Sequence, residues 1–592
     1  MKKAFKTLLI LAVAAAMVLA LVACNDKDTH KGEFSVDVSN DADFKKLADN
    51  LGRDYDKGVY NIKNDIVLEG DWTPIGNSVD NSFRGTINGN GHTITYTINV
   101  PEPEERSEDL NEVAYYGLFG VLFGAKINNL NVNVNVTMPA DAESLFIGGL
   151  AGYAYGETSI NNVNVYGNIT ATMGNISRIK KNSDGSFTPE AERYDMAVSI
   201  GGLIGYSIGN SNYDGVNSSV NITVNSNKST KKYTDSDGEE RSATTLSAIN
   251  NLTVGGVVAT LRTVNLSSVR SNTEYAEAKN LSYSGSISAE GALLNVGGIV
   301  GSAYRVKNAQ KWISNVGVIN TKAYKRLNVG GIAGSLDRVA LSKSKSTVGE
   351  INAKRLSSTQ TTSYNVGGFV GYCANFTSLE NVMSSVTKVV LPVKVFNYTG
   401  GLVGMLHFSS INKAVADGDL YYDRSLILND THISYGQNAK ENPYYVNNGG
   451  IVGRVYGEST LANLATTFTA YQGIAGELAN AVEIVTIKED EGETFAQWLQ
   501  DSSYNTALMT YEKSGNKNED GEQKYRVVHL YSINSTDAEP TIFYVNTNAK
   551  VYNDSLTTSA AVSHNNNTGK AQDDIATEYT ALSQDIEAAI NA

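Results

Sequence analysis

The sequence predicts an all-β solenoid, a parallel β-helix, and three observations carry that prediction. First, a phrase of one apolar residue, a glycine pair, two apolar residues and usually a third glycine occurs nine times between Tyr116 and Arg454. Second, short runs of alternating apolar and polar residues follow most copies, as in Leu130-Asn131-Val132-Asn133-Val134-Asn135-Val136. Third, no amphipathic helical stripe separates the copies, which disfavours a doubly wound α/β sheet. Repetition at periods of tens of residues marks a solenoid, in which each unit covers its neighbour's apolar face.

The chain opens with Lys2, Lys3 and Lys6, an apolar run from Thr7 to Ala23, and then Leu21-Val22-Ala23-Cys24. A basic start, an apolar middle and small residues before a cysteine read as an export signal rather than as fold. The tetrapeptide resembles the lipobox of bacterial lipoproteins. That resemblance implies cleavage before Cys24, acylation of Cys24, and attachment to the membrane through its lipid, facing outside the cell. Two or more acyl chains give stable anchoring where one does not.

Between Asn40 and Arg53, the residues Phe44, Leu47, Ala48 and Leu51 recur at helical spacing, so a capping helix is expected before the first coil. The glycine phrases follow. Counted from the second glycine, their steps are 32, 53, 54, 42, 33, 37, 33 and 49 residues. Each unit is expected to supply a glycine-rich strand, a turn and a second strand, with equivalent strands stacked about 4.8 Å apart. Nine such coils make a rod on the order of 40 Å long. Glycine suits places where successive backbones bend closely. Asparagine suits left-handed turns and amide ladders along stacked coils. At the far end, Ile575, Tyr579, Leu582 and Ile586 form one stripe between Asp573 and Ala592, predicting a C-terminal helix, read as a second cap.

The phrases Ile147-Gly148-Gly149-Leu150-Ala151-Gly152 and Val296-Gly297-Gly298-Ile299-Val300-Gly301, with the seven others, resemble the GLUG motif of bacterial surface proteins. The preceding Trp72-Thr73-Pro74-Ile75-Gly76 and Phe83-Arg84-Gly85-Thr86-Ile87-Asn88-Gly89-Asn90-Gly91 look like the lead-in such proteins carry. The resemblance covers roughly Phe34 to Ala470. It implies a right-handed parallel β-helix on an exported, often adhesive, bacterial protein, and it implies no catalytic residues. The chain departs from the pattern at Val254–Ala259, where alanine replaces the third glycine, and in its uneven spacing. The resulting division is a signal peptide over 1–23, a lipidated linker over 24–33, an N-terminal cap with the first coils over 34–100, the repeat β-helix with inserted loops over 101–470, and a C-terminal region over 471–592.

Composition narrows the function. The chain carries 48 Lys+Arg against 62 Asp+Glu, a net charge of −14. Loss of the three signal lysines leaves 45 against 62, or −17. Such a body repels phosphates, so no nucleic-acid partner is expected. Besides Cys24 the one cysteine is Cys373, read as a buried small hydrophobe. The six histidines are scattered, with no zinc-binding pair, and no cofactor or metal is expected. His92 reads as a structural hydrogen-bonder in the lead-in turn. Asn516–Gly521 starts like a calcium loop but has Val527 where a bidentate glutamate is required, and reads as a hairpin turn. Glycoside hydrolysis needs two carboxylates facing one cleft, whereas the coil strands present Asn, Ser and Thr. No catalytic residue is therefore assigned.

Binding is sought where the period stretches, because inserted loops carry function. Ile176–Tyr194 and Asn225–Thr245 read as hairpins with mixed charge, turning at Asp184-Gly185 and Asp237-Gly238 and able to stack side by side. Asp417–Asn447 holds Tyr421, Tyr422, Tyr435, Tyr444 and Tyr445, the candidate ligand-binding residues, since tyrosine offers a flat apolar face with a polar tip. The acidic loop Glu102–Glu112 reads as solvated. The expected function is non-catalytic adhesion to an extracellular protein or glycan. The alternatives are a carbohydrate-active enzyme, a polysaccharide lyase or hydrolase, on the same scaffold, or a passive envelope component.

Overall fold

The computed structural model describes residues 34–51, 58–101, 113–140, 144–173, 178–181, 187–190, 197–234, 238–247, 249, 251–263, 275–355, 363–392, 396–423, 446–456, 459–468, 475–479, 481–487, 509–517, 523–529, 542–544 and 572–592. Cys24, the signal segment, the loop 102–112, Asp184-Gly185, Asp237, Tyr435, Tyr444 and Tyr445 lie outside them. The fold is all-β, with parallel strands stacked in repeats, the arrangement of a β-helix. Among the described residues no helix is long and apolar enough to cross a membrane.

One coil shows the plan. A strand Ser144–Gly148 ends on the first glycine of its phrase, and Gly149 and Leu150 form a turn. A short strand Ala151–Tyr155 follows, then a corner, then a long strand Ser159–Met173. Each coil thus has three strand segments rather than the two expected, because the glycine pair bends the chain instead of lying within one strand. The turn residues bond along the axis. Gly149 N donates to Gly202 O at 3.0 Å, Gly202 N to Gly255 O at 3.1 Å, and Leu150 N to Leu203 O at 2.9 Å. In the phrases from Gly149 to Leu402 the backbone donors that the bend takes out of one strand are thus met by the next coil.

Two further bends close the coil, and both use left-handed backbone. In the long strands Asn129, Asn162, Gly215, Asn280, Lys311, Lys343, Asn381, Lys413 and Asn463 occupy one stacked column, with φ from +50° to +66°. Asparagine or glycine fills six of the nine, as their tolerance of that region predicts. At the other corner Gly124, Gly156 and Gly209 give way to Arg305, Arg338, Asn375 and Phe408, again at positive φ.

Asparagine amides ladder along the outside. Asn88 Nδ2 donates to Asn61 Oδ1 at 3.0 Å, Asn164 to Asn131 at 2.7 Å, Asn217 to Asn164 at 2.8 Å, and Asn352 to Asn320 at 2.9 Å. Inside, alternate residues of every strand stack in one apolar core that includes Trp312, Tyr213, Phe369 and Cys373. Cys373 is fully buried, and burial pushes its thiol well above the usual range.

At the N-terminal end the expected single helix is α1 (Asp41–Lys45), capped by Asn40 and continuing as a 3-10 turn over Lys46–Asn50. The backbone leaves as extended chain at Leu51, just before Gly52. Phe44 is buried 5.8 Å from Trp72 and 6.3 Å from Phe119, ring centroid to centroid. Trp72 also donates from Nε1 to Leu118 O at 2.9 Å, which fastens the lead-in to the first short strand. His92 is structural as expected, its Nδ1 3.3 Å from Asp65 Oδ1.

The C-terminal helix α2 (Gln572–Asn591) docks on the flank of the rod, where the sequence suggested the end. One outward column of the long strands explains why. It reads Asn131, Asn164, Asn217 and Ser282 where it meets water, then Ile313, Lys345, Met383, Val415 and Ala465 where α2 covers it. Ile586 and Ile590 are buried among Met383, Val415 and Ala465, with Tyr579 and Leu582 packed beside them. A helix of 20 residues spans about 30 Å, enough to lie across the whole apolar stretch. Downstream of the coils, Ala481–Ile487, Met509–Lys517 and Gln523–His529 form a separate antiparallel sheet, with the last two strands the expected hairpin around 520–521.

Candidate functional site

Because the glycine pair bends the chain inward, residues on its two sides face one another across a groove that runs along the axis. One wall is the residue two places before the first glycine: Tyr115, Phe146, Ser199, Thr253, Asn295, Asn328, Asn365 and Tyr398. The other wall is the residue after the third glycine position: Val121, Tyr153, Tyr206, Thr260, Ser302, Ser335, Tyr372, Met405 and Arg454. Contacts across the groove show that the walls meet. Tyr115 and Tyr153 are 5.6 Å apart, Phe146 and Tyr206 5.0 Å, ring centroid to centroid. Ser199 Oγ lies 3.2 Å from Thr260 Oγ1, and Arg454 Nη1 donates to Tyr398 Oη at 2.8 Å.

Side-chain size decides where the groove is open. Towards the N-terminal coils large aromatic rings fill it. In the middle, Thr253, Asn295, Asn328, Thr260, Ser302 and Ser335 are small, and a cavity of about 370 Å³ opens between Tyr206 at one end and Tyr372 at the other. Those ends are four coils apart, about 19 Å at the strand spacing. The floor is polar and held in place. Asn328 Nδ2 donates to Asn295 Oδ1 and Asn365 Nδ2 to Asn328 Oδ1, each at 2.7 Å, and Ser335 Oγ donates to Ser302 Oγ at 3.0 Å. The rim carries Arg262, Tyr304, Arg326 and Asp337.

Tyr115, Tyr153 and Tyr372 stay as neutral donors at physiological pH. Burial, with Tyr206, Tyr115 and Tyr155 adding to it, pushes the Tyr153 phenol far up, and burial pushes Tyr115 up to about 12. Burial and then Asp337 raise Tyr372. His407 Nδ1 lies 3.2 Å from Tyr372 Oη, and burial lowers the imidazole's pKa against the pull of Asp337. Asp337 accepts from Asn375 Nδ2 at 2.9 Å, while its buried Oδ1 has no hydrogen-bond partner among the described residues. Phe376, 79% exposed at φ +66°, stands just past the Tyr372 end. Among the described residues no group of three or more His, Cys, Asp or Glu is placed to hold a metal.

Of the residues singled out in the sequence, the two described ones lie elsewhere. Tyr421 and Tyr422 belong to the long strand Ser410–Asp423, paired with Val390 and Leu391. Tyr435, Tyr444 and Tyr445 lie outside the described residues. The two inserts do form hairpins: Arg178–Lys181 pairs antiparallel with Phe187–Glu190, and Asn227–Thr234 with Glu240–Ser247. The strand Phe187–Glu190 approaches Asn227–Thr234 within 8 Å, Cα to Cα, so consecutive inserts do lie side by side. The groove residues carry a signal that was available. Aligned on the glycine pair, Tyr153, Tyr206 and Tyr372 fall at one offset.

No protein-family model matches the chain, and neither a curated protein nor a solved structure does.

Proposed function

We propose that the chain is a lipid-anchored bacterial surface protein of the GLUG-repeat kind, which binds an extended extracellular glycan without catalysis. On this reading Cys24 carries the lipid, the coils wind right-handed, and α1 caps the first of them. The observation that carries the reading is the open stretch of groove between Tyr206 and Tyr372, lined by amides, hydroxyls and aromatic rings. Aromatic faces stack on sugar rings, and ordered amide and hydroxyl groups replace the water that a sugar hydroxyl gives up. Among the described residues one carboxylate, Asp337, lines the cavity, whereas glycoside hydrolysis needs two. On this reading binding lies at the glycine turns, where the sequence pointed to the inserted loops.

The test is retention of the full chain on a mixed glycan and host-protein array, beside a Tyr206→Ala/Tyr372→Ala variant and variants lacking 176–194 or 225–245. A glycan signal lost with the tyrosine pair and kept in both deletions supports the groove. A signal lost with either hairpin and kept in the tyrosine variant places binding on the loops and contradicts it.

A further inference from the structure

We infer that the ligand of this groove is an acidic polysaccharide, one bearing carboxylate or sulfate groups along its length; the inference rests on the groove being the binding site. The chain as a whole is acidic, at −14. The open stretch of groove reverses that sign, with Arg262 and Arg326 in its lining against the single carboxylate of Asp337. Among the described residues neither arginine has a carboxylate within ion-pair distance. Arg338 does not line the cavity but stands beside it, one residue past Asp337 and paired with it, Nε 4.0 Å from Oδ1.

These guanidinium groups are held in place by aromatic neighbours. Arg262 and Arg338 come from the coils before and after Tyr304, at 5.4 Å and 5.5 Å from its ring centroid. Arg338 Nη1 also donates to Tyr304 Oη at 2.7 Å, and Arg262 Nη1 reaches Tyr206 Oη at 3.4 Å. The Arg262 contact uses one of the five N–H donors of its guanidinium, leaving the Nε/Nη2 fork that matches carboxylate or sulfate, whereas Arg338 has Nη1 on Tyr304 and Nε beside Asp337 and offers Nη2. A guanidinium held by an aromatic ring loses less freedom on binding an anion than a free one does. Arg262 and Arg338 stand two coils apart, about 10 Å. A polymer with charges recurring along its length can meet both while its rings lie over the amide and hydroxyl floor.

Two other anionic polymers fit less well. A nucleic acid presents a dense phosphate array to a protein whose overall charge repels it. An acidic peptide gains most of its affinity by adding a strand to an open sheet edge, and the groove strands are already paired on both sides by neighbouring coils. What remains for the ligand is side-chain amides, hydroxyls and rings.

The experiment measures retention of the full chain on polygalacturonate, dextran sulfate, neutral dextran and polyglutamate, at low and moderate salt. An Arg262→Gln/Arg338→Gln variant and the Tyr206→Ala/Tyr372→Ala variant run beside it, with thermal midpoints checked to show that each is folded. Expected is retention on one or both acidic polysaccharides but not on dextran or polyglutamate, weakened by salt, and at least about tenfold weaker in the arginine variant. Equal retention on dextran, unchanged in the arginine variant but lost in the tyrosine variant, overturns the acidic ligand and leaves the groove standing. Equal retention on polyglutamate overturns the polysaccharide class. Acidic retention that neither variant weakens overturns both the inference and the groove. Retention on none of the four overturns the inference, and the array then decides the groove separately.

Discussion

Lys345 and Glu587 stand 242 positions apart in the chain, yet Lys345 Nζ lies 2.7 Å from Glu587 Oε1. A second such pair, Lys413 with Asp585 at 2.9 Å, joins the same helix to another coil. Both mark the rim of the apolar seam where α2 lies against the rod. An exposed pair of this kind is worth less than about 1 kcal/mol, whereas fully burying an isoleucine is worth about 1.5–3 kcal/mol. The seam, not its rim, therefore holds the helix.

Ile586→Ala is expected to destabilise the docked helix by about 2–4 kcal/mol, and Lys345→Ala by less than about 1 kcal/mol. Native-state hydrogen exchange of the α2 amides reads both. Equal effects from the two substitutions would show that the ion pairs carry the docking.

The same contact has a pH dependence. The Lys345 ammonium, hydrogen-bonded to Glu587, holds its carboxyl below the ordinary value of 4.5. A depressed carboxylate contributes stability that is fully present above its unfolded pKa and lost as pH falls through the folded one. Exchange of the α2 amides is thus expected to be flat from pH 7 down to about 4.5, once intrinsic rates are corrected, and to quicken below that. The quickening should shrink in Lys345→Ala.

Three lysines sit where the left-handed column favours asparagine or glycine, and Lys343, at φ +52°, is one that makes no ion pair among the described residues. Left-handed backbone costs a residue with a Cβ about 1–2 kcal/mol, against the roughly 0.5–1 kcal/mol of chain entropy that glycine loses on folding. Lys343→Gly is expected to stabilise by about 0.5–1 kcal/mol, read as a higher thermal midpoint. The same change at Lys345, two residues on and outside the positive-φ column, should lower the midpoint.

The second glycine of a phrase is required by close approach. A Cβ on Gly331 would sit 1.9 Å from Ser346 Oγ, 2.5 Å from Gly368 O and 2.8 Å from Val348 Cγ2. Gly331→Ala is expected to cost about 3 kcal/mol, since two of the three atoms belong to interior side chains and one to the next coil's backbone. Gly317, in a strand with nothing within 4 Å of such a Cβ, is the control. Gly317→Ala should be neutral or stabilising by about 0.5 kcal/mol. Chemical denaturation of both variants checks the contrast.

The coil plan was legible because one constraint repeats. Each glycine pair marks one bend and each Asn-rich run one long strand. The stripe Tyr579, Leu582 and Ile586 marked α2 correctly, but its docking place depends on Met383, Val415 and Ala465. Those three come from three different coils and line up only once the register is known. The groove was hidden for the same reason. Thr253, Asn295 and Asn328 are ordinary strand residues in sequence and become a floor only when stacked. Tyrosines close in sequence, such as Tyr421 and Tyr422, drew attention, whereas those at one offset from the glycines, such as Tyr206 and Tyr372, are separated by whole periods.

That every glycine phrase is one coil, stacked in order along a single groove, is tested most directly by distances between spin labels on its wall. Labels replacing Tyr153 and Ser302 stand three coils apart, and so do labels replacing Ser302 and Met405, although 149 residues separate the first pair and 103 the second. At the strand spacing both separations are expected at about 14 Å, set by coil number and not by the uneven sequence spacing. A first separation longer than the second by the ratio of intervening residues would contradict the stacked groove and the binding site built on it.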